Sequence, residues 1–127
     1  MHEKIAKLRE LKLLFVEDEK DLLDIISDTL KKLQANFLTA TNGAEALELI
    51  KDNKDIDVVI TDINMPVMDG LEMIREIRKE GSELMVIIMS AHTEIDYIEQ
   101  AKEFGVHDYL LKPFDFIKFI NLITNKS

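Results

Sequence analysis

The sequence predicts an α/β domain with a doubly wound, five-stranded parallel sheet and helices on both faces, and three observations carry that prediction. Five short apolar runs, rich in β-branched residues or leucine, recur along the chain. Segments with the spacing of amphipathic helices lie between and after them. Strands this short and this apolar, alternating with helices, are what a parallel sheet buried on both faces requires, and short right-handed connections then favour double winding.

The strand runs are Lys12 to Val16, Phe37 to Ala40, Asp57 to Thr61, Met85 to Met89 and Asp108 to Leu111. The first helix of the βα series shows Leu22, Leu23, Ile26, Leu30 and Leu33, the second Ala46, Leu47 and Ile50, and the third Leu71, Ile74 and Ile77. Ile95, Ile98 and Ala101 mark the fourth, and Phe116, Phe119, Ile120 and Ile123 the fifth, where Ile117 and Leu122 fall to either side of the core face. Gly43 and Gly70 stand at the mouths of the second and third helices. Gly81 and Gly105 stand where helix C-termini favour glycine, and Pro66 and Pro113 fall in loops just after strands. Residues 1–10 read as an N-terminal helical extension or arm ahead of a domain over 11–127.

Composition narrows the function classes. The chain of 127 residues is one domain's length. Its net charge of −9, with no long run of Lys or Arg, argues against direct nucleic-acid binding. With no cysteine, disulfides and thiolate metal sites are excluded. No segment has the apolar length of a membrane span and the start lacks a signal-peptide core, so a soluble cytoplasmic protein is expected. The ending at Asn125-Lys126-Ser127 fits a complete protein and a domain cut from a longer chain alike.

The chemistry lies in where the polar residues fall. Glu17 and Asp18 follow the first strand, Asp62 the third, Ser90 ends the fourth and Lys112 ends the fifth. All are carboxyl ends of strands and share one rim. In the strand order 2-1-3-4-5 a crevice opens above the first and third strands, and these residues converge there. Three crowded carboxylates need a cation, and a few hard oxygen ligands with room for water suit Mg²⁺. A carboxylate beside such a metal can attack phosphorus, with Lys112 and Ser90 serving the phosphoryl oxygens.

The string Asp62-Ile63-Asn64-Met65-Pro66-Val67-Met68-Asp69-Gly70, with Glu17-Asp18 upstream and Ser90-Ala91 and Lys112-Pro113-Phe114 downstream, closely resembles the receiver domains of two-component response regulators over residues 11–124. The resemblance implies that Asp62 is the phospho-acceptor. It also implies that Asp18 and Asp62 hold Mg²⁺ through carboxylates, Asn64 through its backbone carbonyl, and Glu17 through a metal-bound water. Ser90 and Tyr109 occupy the switch positions, and Lys112 the family's lysine. His92, two residues after Ser90, stands where a side chain can modulate water access and so dephosphorylation. The implied protein is a signalling switch rather than an enzyme. Its phosphodonor is a sensor histidine kinase or phosphotransfer protein, and its output a downstream protein target, an effector domain or a phosphorylation-dependent homodimer. The reporting face would be the fourth helix, fifth strand and fifth helix of the βα series, with Ile95, Tyr97, Tyr109, Ile117 and Leu122 as contact residues.

Other readings fit less well. A haloacid-dehalogenase-type phosphatase needs a second carboxylate where Asn64 stands, and a flavodoxin-like cofactor binder, which shares the topology, would have its phosphate repelled by Glu17-Asp18-Glu19. An EF-hand needs glycine at Val67 and glutamate at Met73. The competing class is a receiver-fold interaction module that works without phosphorylation. His2 and His107 have no partners the sequence can name, and Met65, Met68, Met73, Met85 and Met89 read as packing. Asp69-Gly70 reads as a turn into the third helix.

Overall fold

Alternation along the strands decides how this chain packs, because each strand must satisfy two apolar layers at once. In the computed structural model, which describes residues 2–90, 95–112 and 115–126, five strands run parallel in the order β2-β1-β3-β4-β5. They are β1 Lys12–Val16, β2 Asn36–Ala40, β3 Val58–Asp62, β4 Met85–Ser90 and β5 Asp108–Leu111. The helices are α1 His2–Glu10, α2 Lys20–Lys32, α3 Gly43–Asp52, α4 Gly70–Lys79, α5 Ile95–Lys102 and α6 Phe116–Lys126, so the series read from the sequence as helices one to five is α2 to α6.

The period-two pleat sorts the core into two halves. Leu14, Val16, Val59, Val86 and Ile88 face one side, where they meet Ala46 of α3, Ile74 and Ile77 of α4 and Ala101 of α5. Leu13, Phe15, Ile60, Ile87 and Met89 face the other and meet Ile26 and Leu30 of α2 and Phe119 and Ile123 of α6. Phe15 and Phe119 pack edge-on with ring centroids 5.5 Å apart. The flavodoxin-like topology read from the sequence is therefore the topology observed.

One boundary that matters moved by a residue: Asp62 is the last residue of β3 rather than the first beyond it, paired in register with Met89, while Ser90 ends β4 as expected, paired with Leu111. Asp57 falls just outside β3, where its carboxylate accepts from the Lys12 backbone N–H at 2.8 Å.

Loop and helix ends obey local chemistry. Asn42 and Asp69 accept from the backbone N–H of Glu45 and Glu72 at 2.9 and 2.8 Å, capping α3 and α4. Gly105 takes a positive φ of 76° after α5. Arg78, near the end of α4, donates to three carbonyls, those of Phe104, Ser82 and Leu84, at 2.7, 3.0 and 2.8 Å. One guanidinium thereby ties the end of α4 to the foot of α5 and the approach to β4.

Residues 2–10 form a helix, α1, docked on the domain. Leu8 is fully buried in the same half-core as Phe15, Leu30 and Ile123, Lys4 Nζ donates to Asn121 of α6 at 2.6 Å, and Arg9 Nε donates to the Leu33 carbonyl at 2.9 Å. Truncating Leu8 to Ala should lower the unfolding free energy by about 2–4 kcal/mol, as for other fully buried leucines. Urea denaturation checks this; a loss under about 1 kcal/mol would mean that α1 is a detached arm.

Candidate functional site

The sheet order puts the carboxyl ends of β1, β3, β4 and β5 along one edge, and five charged or hydroxyl side chains follow from it. Glu17 extends the β1–β2 ladder by one bond, its N–H donating to the Ala40 carbonyl at 3.0 Å. Lys112 likewise extends the β4–β5 ladder, donating its N–H to the Ser90 carbonyl at 2.9 Å. Both backbones are thereby held in strand geometry before their side chains turn into the crevice.

At its centre Lys112 Nζ lies 2.9 Å from Asp62 Oδ2 and 3.2 Å from Glu17 Oε1, bridging carboxylates 45 residues apart in sequence. Asp62 Oδ1 accepts from the Ile63 N–H at 2.8 Å, and Glu17 Oε2 from the Glu19 N–H at 3.2 Å. Glu17 and Ser90 are fully buried, Asp62 is 6% exposed, and Asp18 stands exposed at the rim. Glu17, Asp18 and Asp62 each bring one carboxylate oxygen within 4.8 Å of the others. Three hard oxygen donors this close are a set suited to a hard divalent cation.

The electrostatics carry the signature of that crowding. Burial first, then the charge of Asp62, push the Glu17 carboxyl up from 4.5 to about 7, against the pull of the Glu19 N–H and Lys112. For Lys112, burial works to lower the pKa, but the hydrogen bond to Asp62 and the charges of Asp62 and Glu17 outweigh it, and the ammonium is held above its ordinary value. One ammonium does not fully compensate the carboxylates around it.

The loop from Asp62 to Gly70 closes on itself. The Gly70 N–H donates to the Ile63 carbonyl at 2.8 Å, and a Cβ at Gly70 would lie 2.2 Å from the Asp62 carbonyl oxygen. Asp69-Gly70, read as a turn into a helix, is that turn, with the added requirement that residue 70 carry no side chain. Asn64 sits exposed on this loop.

The structure brings Glu17, Asp18, Asp62 and Lys112 together and puts Ser90 at the adjoining strand end. His92, Ala91, Pro113 and Phe114 lie outside the described residues. On the face of α5, β5 and α6, Ile95, Tyr109 and Ile117 are 63%, 48% and 62% exposed. Tyr97 and Leu122, the other two expected contact residues, are partly buried against the two core halves. Leu111, exposed on β5, joins this face. The sequence reading passed over it because a leucine in a buried-strand pattern looks like core.

Comparison with known proteins points to one family. The sequence model of the response regulator receiver domain matches residues 13–124. The chain is 36% identical over 107 residues to a chemotaxis protein CheY homologue of Campylobacter jejuni, covering 82% of each protein. It is 37% identical over 108 residues to the DNA-binding transcriptional regulator NtrC of Escherichia coli, covering 85% of this chain but spanning only 23% of that protein. Among solved structures, a response regulator receiver domain protein from Clostridium thermocellum superposes with a TM-score of 0.81 at 34% identity, over 91% of this chain and 95% of that one. The receiver domain of Ssk1, crystallised with the histidine phosphotransfer protein Ypd1 of Saccharomyces cerevisiae, does so at 0.78 and 25% identity, over 90% and 86%. With the match running across nearly all its strands and helices, the chain belongs to the response regulator receiver domain family, the phosphoryl-accepting switches of two-component systems.

Proposed function

We propose that Asp62 is the residue that takes the phosphoryl group, and that Mg²⁺ is held by Asp18 and Asp62, by the Asn64 backbone carbonyl and, through water, by Glu17. The observation that carries this reading is the position of Asp62 at the centre of the site, one oxygen held by the Ile63 N–H and the other by Lys112. When bound, the metal would offset the repulsion between the carboxylates and an incoming phosphoryl anion. The fit rests on the donors present, three converging carboxylates, of which Glu17 is raised by burial and by the charge of Asp62.

The chain's own groups do the rest. An Asp62 carboxylate oxygen forms a bond to phosphorus as the donor's bond to phosphorus breaks. Lys112, already 2.9 Å from Asp62, transfers its charge-assisted hydrogen bond to a phosphoryl oxygen with little displacement. Ser90, at the end of β4, supplies a hydroxyl donor. A histidine kinase or phosphotransfer protein is the donor in this reading. Movement of Ser90 toward the phosphoryl group leaves space behind it for the Tyr109 ring, which carries the change to the face of α5, β5 and α6. A protein target, an effector domain or a second copy would bind there.

Treatment with acetyl phosphate and Mg²⁺, read by intact mass, should add one phosphoryl group to the wild type and none to Asp62→Asn. Equal gains by both proteins would remove Asp62 from this role.

Glu17 sets a pH dependence in metal-free protein. Between pH 4.5 and about 7 the folded form keeps a proton that the unfolded form has released, so this group's contribution falls as pH rises through that window. Relative to Glu17→Gln, the wild type should lose about 2–3 kcal/mol of stability between pH 5 and pH 8. Millimolar Mg²⁺ should restore much of it, by binding the folded form at pH 8. Urea denaturation of both proteins at the two pH values is the measurement; parallel curves would show that Glu17 ionises normally.

Beryllofluoride, standing in for the phosphoryl group on Asp62, should change amide exchange in residues 95–112 and 115–126. Changes confined to α2 and α3 would rule out the proposed output face.

A further inference from the structure

The Asp62–Gly70 loop ends at the point where it began, so its middle is a tip projecting from the site's edge, and Val67 is at that tip. It is 83% exposed and has a φ of 68°. Met65 and Met68, on either side, tuck against the core. The Met68 N–H donates back to the Pro66 carbonyl at 2.7 Å, closing a three-residue turn about Val67. That turn is held from outside: the Gly43 N–H at the start of α3 donates to the Met68 carbonyl at 2.9 Å.

A β-branched residue at positive φ is strained, and its cost is borne only where something fixes it. Glycine would relieve the strain, and the folded domain gains little from packing a side chain so exposed. Among the described residues the only other non-glycine at positive φ is Gln34, unbranched and just beyond the end of α2, where such a conformation is ordinary. Neither backbone nor core therefore accounts for a valine at 67. Asp62 is nearly buried, so a donor's phosphorylated side chain must be inserted into the crevice, which presses the donor's own surface on the projecting loop.

We propose that Val67 is a docking residue for the protein that donates the phosphoryl group, an apolar contact that small donors do not use. This rests on the phospho-acceptor reading given above. In the transfer, the donor's histidine N–P bond breaks as the Asp62 O–P bond forms, and the imidazole nitrogen takes a proton from solvent. The donor that fits presents an apolar surface beside its phosphohistidine.

The test compares wild type, Val67→Gly, Val67→Asp and Val67→Ile with two kinds of donor. Acetyl phosphate with Mg²⁺ should label all four at rates within about twofold, since it makes no apolar contact with the tip. The protein donor is whichever labels wild type fastest among phosphorylated Ypd1 and a panel of autophosphorylated histidine kinases. From it, transfer to the Gly and Asp variants should fall about tenfold while Val67→Ile keeps the wild-type rate. The thermal midpoint of Val67→Gly should equal or exceed that of wild type, which separates lost docking from lost folding. Undiminished transfer from protein donors to the Gly variant would overturn the proposal, as would equal losses with both kinds of donor. So would a wild type labelled by acetyl phosphate and by no protein donor. A wild type that acetyl phosphate leaves unlabelled would instead overturn the phospho-acceptor reading beneath it.

Discussion

The bridge that Lys112 makes between Asp62 and Glu17 is the interaction on which the carboxyl edge of this sheet depends. Each carboxylate is nearly or fully buried, and a buried charge without a partner would be costly. The ammonium satisfies one oxygen of each, and backbone N–H groups satisfy the others. Burial, and then the charge of Asp62 beside it, still hold the Glu17 pKa above its ordinary value.

That edge exists because of sheet order. Sequential strands winding outward in opposite directions from β1 and β3 leave no helix directly above the point of reversal. The β1–β3 and β3–β4 registers then align Glu17, Asp62 and Ser90 at nearly the same height. Lys112 reaches in from the far edge strand on a backbone held by the Ser90 carbonyl. Gly70 makes the same geometry possible from above: it lets the return of the loop rest against the Asp62 carbonyl, which pins the strand end in place.

Much of this was legible in the sequence because the information was periodic or local. Alternating apolar runs revealed strands, helical spacing revealed helices, and the acids and lysine stood at strand ends where topology must gather them. What was hidden depended on tertiary placement. Glu17 reads as one acid among many, and only burial beside Asp62 makes it the perturbed one. Leu8 is a single leucine in a charged segment, and its full burial is in a half-core shared by β1, α2 and the sequence-distant α6. Tyr97 and Leu122 lay at the border of their helical stripes, where periodicity does not say which side of the border is covered. Val67 gave no signal because positive φ is announced by glycine, and here glycine is absent.

Arg78 has a mechanical consequence. Its three carbonyl contacts clamp the C-terminal foot of α5 to α4 and to the approach of β4, at the end of the sheet away from the acidic crevice. A helix tethered at its foot resists translation far more than tilt. Its other end begins near the strand edge where Ser90 sits, so a small shift there would be felt by α5 as rotation about a fulcrum, with the largest excursion at Ile95 and the least at Phe104.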